Sequence, residues 1–165
     1  MSHQPVIDGL EFARTGSKLQ GSWAVADFPR LRDSLHTDAG TLRYEVHGVP
    51  QEQGRPALRL RLVGSLQLIC QRCLGALEFP FCIEVCLQLA ATQAEIDAEP
   101  LEAAGPDRIV ARREMAVHDL IEDELLLALP IAPRHEDCGV AAPGEARGKQ
   151  SPFAALRGLV GGTKH

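Results

Sequence analysis

The chain has 165 residues, 45% of them hydrophobic, and carries a net charge of −5 at pH 7. This length and composition predict one folded domain with a packed core and exclude wholesale disorder. Phosphate repels an acidic chain at long range, and only 4% of the residues are aromatic, so a broad RNA-binding surface is not expected. Contact with RNA would need a local basic segment or a protein partner.

The cysteine content and the N-terminal sequence indicate a reducing compartment. The five cysteines are odd in number, which favours free thiols or bound metal over a disulfide framework. The segment MSHQPVIDGL has neither a basic start nor a long apolar run, so we expect no signal peptide. No apolar stretch is long enough to span a bilayer. We therefore expect a cytoplasmic protein with no membrane partner.

The first third of the chain predicts short elements. Asp27 is a suitable N-cap, and Pro29 suits a first helical turn, so a helix should begin there. The predicted elements are a helix at 8–16, a strand at 18–25, a helix from Asp27 to His36, a strand at 41–49 and a polar connection at 50–54.

The clearest signal is an alternation of apolar and polar residues. It runs from Leu58 to Leu68 and resumes from Phe79 to Leu89. A period of two over this distance indicates half-buried antiparallel strands. The two runs predict one long hairpin at about 57–90. We therefore predict an α+β fold, with an antiparallel sheet dominated by this hairpin, helices packed on one side, and a sheet that could close partly into a barrel.

The rest of the chain divides into an acidic segment, a helix and a tail. Residues at about 92–107 are rich in Ala, Glu, Asp, Pro and Gly, which predicts a flexible acidic loop. Apolar residues from Met115 to Leu129 have helical spacing, and Pro130 stops the helix. We expect residues 1–139 to form a single domain and residues 140–165 a flexible basic tail.

Two pairs of candidate metal ligands have the same spacing. Cys70 and Cys73 lie at the predicted hairpin tip, and His135 and Cys138 follow the main helix. Glycine closely follows each pair, and Gly75 would permit the bend at the tip. A CxxC on a turn with a second pair of ligands is typical of one structural zinc site. The alternative is two unrelated pairs, with ordinary thiols and a surface histidine.

The main helix carries a run of acids. Glu122, Asp123 and Glu124 fall on its predicted solvent side, which favours a solvated or partner-binding surface over a catalytic carboxylate pair. His118, on the same helix, is expected at the surface or rim.

The tail combines basic residues with one apolar motif. Phe153, Leu156 and Val160 have helical spacing within 152–160, which predicts a docking segment that folds on binding a partner. The alternative is a short helix packed back on its own domain. The basic residues expected to contact RNA or a partner are Arg147, Lys149, Arg157 and Lys164.

No sequence motif supports an enzyme. A phosphate-binding loop, a nucleophile elbow and an HExxH motif are all missing from the sequence. A thiol redox protein using Cys70 and Cys73 is an alternative, but a reactive CxxC usually opens a helix in a βαβ unit rather than joining two antiparallel strands. A metal-free interaction scaffold is the other alternative.

The order of these motifs resembles one known family. Cys70-Gln-Arg-Cys73 is followed by a block from Ile121 to His135 (IEDELLLALPIAPRH), then by Cys138, and finally by the segment Pro152 to Leu156. Over roughly residues 55–160 this arrangement is similar to the YceD family, the bacterial large ribosomal RNA subunit accumulation proteins. The block with the acidic run and the two prolines is the most specific part.

The resemblance implies a cytosolic ribosome-biogenesis factor with no enzymatic activity. Such a factor supports the synthesis, processing or stability of 23S ribosomal RNA, and we expect it to bind a ribosomal protein or a large-subunit assembly intermediate. The positions matching the family's Cys/His pattern are Cys70, Cys73, His135 and Cys138, and those matching its acidic helix and tail are Glu122, Asp123, Glu124, Phe153 and Leu156. The oligomeric state is not indicated.

Overall fold

The computed structural model describes residues 4–98 and 105–138. It has a mixed α and β fold dominated by its sheet, which agrees with the predicted class. The strands are β1 (Val6–Ile7), β2 (Lys18–Ala24), β3 (Leu35–Thr37), β4 (Thr41–Glu52), β5 (Arg55–Ile69), β6 (Ala76–Ala90), β7 (Arg108–Val110) and β8 (Met115–Ala116). The helices are α1 (Gly9–Arg14), α2 (Gln93–Asp97) and α3 (Val117–Ala128).

The main sheet has the strand order β2-β4-β5-β6-β7, and β3 pairs with β5 beside β4. Its pairs are antiparallel except β6 with β7, which are parallel. β1 and β8 form a separate two-stranded sheet. Within the described residues β2 and β7 lie at opposite edges and do not pair, so the sheet is open and the expected partial barrel is wrong.

The core lies on one face of the sheet, here called the inner face. β5 and β6 pair from Ala57 with Gln88 to Ile69 with Ala76. The inner-facing leucines of β5 are at most 1% exposed, while Arg59 and Arg61 on the other face are exposed. Alternation with a period of two produces this division because successive side chains point to opposite faces.

Helix α1 packs so closely on the inner face that a side chain is excluded at Gly48. A Cβ at this position would overlap the backbone of Phe12 and Ala13 in α1. We expect Gly48→Ala to lower the free energy of unfolding by about 2 kcal/mol, because the helix would have to move away from the sheet. Urea denaturation measures this change. Gly105→Ala is the control, since a Cβ there meets no atom within 4 Å; equal stabilities of the two variants would contradict the prediction.

The segment predicted as a helix from Asp27 to His36 is instead two short 3₁₀ turns, at Val25–Asp27 and Pro29–Ser34. Phe28 between them has φ −102° and ψ 89°, which is not helical. His36 belongs to β3, which pairs with β5. Pairing with the sheet therefore overrides the local capping signals.

The predicted polar connection at 50–54 is shorter than expected. β4 continues to Glu52, and only Gln53 and Gly54 form the turn, with φ of 51° and 87°. Two residues with positive φ are typical of a tight hairpin turn whose twist matches that of its strands.

The C-terminal elements also differ from the prediction in detail. The expected acidic loop at 92–107 contains α2, and residues 99–104 lie outside the described part of the chain. Helix α3 begins at Val117, because Met115 pairs with Ile7 in the small sheet. The expected tail at 140–165 also lies outside the described residues, so its predicted flexibility remains a prediction.

His118 is buried, and not at the surface or rim as predicted. Its ring stacks on Phe28 with a centroid distance of 4.5 Å and lies edge-on to Trp23 at 5.3 Å. Its Nε2 is 3.0 Å from the carbonyl oxygen of Asp27. The imidazole therefore joins α3 to the 3₁₀ turns and is part of the core.

Candidate functional site

The tip between β5 and β6 is a tight turn that begins at Cys70. The Cys70 amide donates to the Gly75 carbonyl at 2.9 Å, and the Leu74 amide donates to the Cys70 carbonyl at 2.9 Å. The left-handed residue is Leu74, with φ 60°, and not Gly75 as expected. A Cβ at Gly75 would be in ordinary van der Waals contact with the Cys73 sulfur, at 3.5 Å, so neither space nor backbone conformation requires glycine there.

The segment after α3 returns to this tip. Helix α3 ends because Leu129 is extended, with ψ 135°, and Pro130 cannot continue the helix. The Gln71 amide then donates to the Pro133 carbonyl at 2.8 Å. This bond holds the segment against the tip, and the next turn brings His135 and Cys138 to the two tip cysteines.

All four predicted ligands come together. One ligand atom from each of Cys70, Cys73, His135 and Cys138 lies within 4.8 Å of every other. The sulfurs of Cys70 and Cys138 are 3.3 Å apart, and Nδ1 of His135 is 3.5 Å from the sulfurs of both Cys73 and Cys138. Zinc at its usual bond lengths holds tetrahedral ligand atoms about 3.6–3.8 Å apart. These distances are therefore compatible with one zinc ion.

A backbone carbonyl orients the histidine. Nε2 of His135 lies 2.9 Å from the carbonyl oxygen of Ala76, the first residue of β6. Since a carbonyl can only accept, Nε2 carries the hydrogen and Nδ1 faces the three sulfurs. Metal-binding histidines are typically held by such a second hydrogen bond. The sequence pattern contains no signal for this contact, because it comes from backbone and not from a side chain.

The backbone around the cluster favours an ionised sulfur at Cys70. Desolvation favours the neutral thiol of Cys70, but the backbone amides of Cys73, Arg72 and His135 and the Cys138 thiol donate to its sulfur and lower its pKa to about 5. The hydrogen bond to Cys70, together with desolvation, raises the pKa of Cys138 to about 11. The hydrogen bond to Ala76 and those to the sulfurs raise the pKa of His135. A thiolate stabilised by amides is the ionised form that metals bind.

The other two cysteines do not join the cluster. Cys82 is exposed and Cys86 is partly buried, and both lie on the outer face of β6. In the described part of the chain only the four predicted residues form a group of three or more potential ligands.

Glu122 of the acidic run is buried, which corrects its predicted place on the solvent side. It is 3% exposed, and its two carboxylate oxygens accept from the backbone amide of Arg30 at 2.8 Å and from Nε of Arg30 at 2.7 Å. Arg30 also contacts Asp123, which is exposed, at 2.7 Å. Two of the three acids therefore bind the 3₁₀ turn of their own chain. No sequence pattern identified Arg30 as their partner, because it lies 92 residues before Glu122.

Glu124 is the third acid and differs from the other two. It is partly buried, and its burial and the nearby carboxylates of Asp107 and Asp123 raise its pKa. Among the described residues no salt bridge to Glu124 is present, so it is the acid of the run whose charge is least well stabilised.

The predicted tail sites lie outside the described residues. These are Phe153, Leu156, Arg147, Lys149, Arg157 and Lys164. Among the described helices, none has the length and apolar character needed to cross a membrane.

Comparison with known proteins gives one consistent result. A family model described as "Large ribosomal RNA subunit accumulation protein YceD" matches residues 58–160. The chain is also similar to the large ribosomal RNA subunit accumulation protein YceD of Haemophilus influenzae, with 26% identity over 163 residues that cover 93% of each protein. No solved structure matches significantly. The family match includes all four residues of the cluster and the acidic run.

Proposed function

Because the chain belongs to the YceD family of large ribosomal RNA subunit accumulation proteins, we propose that it is a non-catalytic, cytoplasmic ribosome-biogenesis factor. In this role it supports the synthesis, processing or stability of 23S ribosomal RNA. The observation that carries the proposal is the family match, which extends from β5 through the metal-ligand cluster and α3 into the tail.

The partner is proposed to be a ribosomal protein or a large-subunit assembly intermediate. Ribosomal proteins that bind RNA are basic, and this chain is acidic, with a net charge of −5. An acidic face steers and shields a basic protein. Glu124 is the best candidate within the acidic run, since Glu122 and Asp123 are bound to Arg30. The tail is proposed to bind the partner through Phe153 and Leu156. Its basic residues are proposed to contact RNA or the partner: Arg147, Lys149, Arg157 and Lys164.

The cluster of Cys70, Cys73, His135 and Cys138 is proposed to hold one structural zinc ion. Three sulfurs and one imidazole nitrogen are a common structural zinc set, and its four ligands leave no open position for substrate. Zinc would join the β5–β6 tip to the segment after α3, two parts of the chain far apart in sequence. Its role is then to hold that segment in place.

One observation favours a second candidate, a thiol redox protein. The sulfurs of Cys70 and Cys138 are 3.3 Å apart, and Cys70 has a lowered pKa. The close pair is thus Cys70 with Cys138, and not the CxxC pair of the earlier hypothesis. Zinc content and reversible oxidation of the purified protein distinguish the two candidates.

The proposed function predicts a defect in 23S ribosomal RNA when the gene is deleted. We expect the ratio of 23S to 16S RNA to fall in the deletion strain, and the wild-type gene to restore it. Glu124→Lys should restore it less well, because it places a cation where a basic partner would bind. Glu84→Lys is the control, since Glu84 is 65% exposed and lies beside Arg61 on the outer face of the sheet, opposite the core. An unchanged ratio, with no large-subunit component recovered on the tagged protein, would overturn the proposal.

A further inference from the structure

The two edges of the main sheet are unequally protected. At the β6 edge, His135 contacts the Ala76 carbonyl, and β7 pairs with residues 88–90. Pro80 lies between these two contacts and has no amide hydrogen to donate to a neighbouring strand. Proline and short covering elements are usual means by which a sheet avoids pairing with another chain. The β6 edge is therefore poorly suited to a long partner strand.

The opposite edge is formed by β2 and has none of these protections. β2 pairs with β4 from Lys18 with His47 to Ala24 with Thr41, without a register shift. It contains no proline, and its one charged residue is at its end. Within residues 4–98 and 105–138, no strand pairs with its other side. A regular edge strand of this kind is a template for another strand.

Alternate residues of β2 direct their backbone groups to this free edge. The Gly48 amide donates to Ser17 at 2.8 Å just before β2, and the Val25 amide donates to Gly40 at 3.0 Å just after it. In an antiparallel pair, residues that bond to the partner strand alternate with residues that do not. The odd-numbered residues of β2 therefore bond to β4. The residues whose amides and carbonyls point outward are Lys18, Gln20, Ser22 and Ala24.

A tyrosine hydroxyl from β4 also lies at this edge strand without a partner. The Tyr44 ring stacks on Trp23 with a centroid distance of 4.2 Å and crosses Gly21, where a Cβ would lie 2.8 Å from the hydroxyl oxygen. Tyr44 is only 6% exposed, and its hydroxyl has no hydrogen bond to a described residue. Among those residues no fully buried side-chain oxygen lacks a hydrogen bond, so this hydroxyl is the accessible end of the ring.

The sequence of β2 is complementary to itself when two copies run antiparallel. With Gly21 on a twofold axis, all seven residues of the strand are paired, and the outward backbone groups of one copy meet those of the other. The opposed pairs are Lys18 with Ala24, Leu19 with Trp23, Gln20 with Ser22, and Gly21 with itself. No like charges are opposed, and the partly buried Leu19 gains an apolar neighbour.

We propose that two copies of this chain associate through their β2 edges, antiparallel and with Gly21 on the twofold axis, so that the two main sheets form one continuous sheet. The arrangement places the Tyr44 hydroxyls of both copies close to the axis. A second copy is favoured over another extended segment because the match in register and charge lies within β2 itself. The inference concerns the free protein and does not depend on the proposed ribosomal role.

Sedimentation of the full chain from about 1 μM to about 1 mM tests this association. We expect the wild type to change from monomer to dimer within this range, because an interface of seven residues from each copy is small. Gln20→Lys/Ser22→Lys places lysine opposite lysine on both sides of the axis. It should weaken association by about tenfold or more, although it reduces the net negative charge of each chain.

The matched control is Gln20→Lys/Ser22→Glu. It has the same lysine but places a glutamate opposite it, so it should associate at least as strongly as the wild type. Both substituted residues are exposed, and their neighbours Glu45 and Arg43 on β4 have the charges opposite to the new ones in this control. Thermal unfolding of dilute protein checks that both variants remain folded.

Hydrogen exchange identifies the edge itself. In concentrated wild-type protein the amides of Gln20 and Ser22 should exchange about tenfold more slowly than in dilute protein, because they point outward. The amides of Leu19 and Trp23, which bond to β4, should not change.

Each outcome decides the proposal. A wild type that stays monomeric over the whole range would overturn it, and so would equal association of the two variants with the wild type, which would indicate another surface. Dissociation of the control as well would overturn the register centred on Gly21. Equal protection of the Gln20 and Ser22 amides at every concentration would show that a segment of the same chain covers the edge, and the second copy would be excluded.

Discussion

Replacing Cys73 by serine is expected to remove most of the bound zinc and to destabilise the protein strongly. Cys73 is exposed, so the substitution would have almost no effect if the thiol had no ligand. If Cys73 is one of four zinc ligands, however, the substitution weakens zinc binding. Bound zinc stabilises the fold by about 4 kcal/mol when the free zinc concentration is about a thousand times the dissociation constant of the site. We expect a loss of that order in the unfolding free energy.

The matched control for this substitution is Cys82→Ser. Cys82 is also exposed and lies on the same pair of strands, but it is outside the cluster. Metal analysis of protein purified without chelators should give about one zinc per chain for the wild type and for Cys82→Ser. If Cys73→Ser and Cys82→Ser have the same zinc content and stability, the four residues do not form a metal site. A metal-free wild type with reversible Cys70–Cys138 oxidation would favour the redox candidate.

The sheet was more predictable than the turns around it. Alternating leucines assign residues to a face because a strand has a fixed period of two, so both β5 and the inner face follow from local sequence. The 3₁₀ turn at Pro29–Ser34 was not predictable, since its capping signals are equally suited to an α-helix. Its conformation depends on β3 pairing with β5 and on the contact of Arg30 with Glu122, which is 92 residues distant.

The cluster of Cys70, Cys73, His135 and Cys138 was predictable in its members, but the backbone contacts that hold it were not. The matching spacing of the two pairs identified all four residues as candidates, because a CxxC on a turn with a second pair of ligands is typical of a tetrahedral zinc site. The backbone contacts that orient them have no sequence signature. The Ala76 carbonyl fixes His135, and the Pro133 carbonyl holds the second segment at the tip. The left-handed residue at the tip is a leucine, contrary to the usual preference for glycine.

Helical periodicity was misleading for Glu122, which it placed on the solvent side of α3 although the side chain is buried. Glu122→Ala should lower the free energy of unfolding by about 3 kcal/mol, because the Arg30 amide and guanidinium would lose a nearly buried acceptor. Glu122→Gln should also destabilise the protein. The amide nitrogen of glutamine would replace one of the two acceptor oxygens and would face an N–H donor of Arg30. Urea denaturation of each variant measures the change.

The acids next to Glu122 serve as controls and separate structure from partner binding. Asp123→Asn should cost less than about 1 kcal/mol, because Asp123 is 55% exposed and its ion pair is in water. Glu124→Gln should leave the protein at least as stable, because it removes a carboxylate whose raised pKa shows that its charged form is disfavoured. A Glu122→Ala protein as stable as Asp123→Asn would contradict the assignment. If the prediction holds, loss of ribosomal RNA in a Glu122 variant reports unfolding, and only Glu124 variants report partner binding by the acidic run.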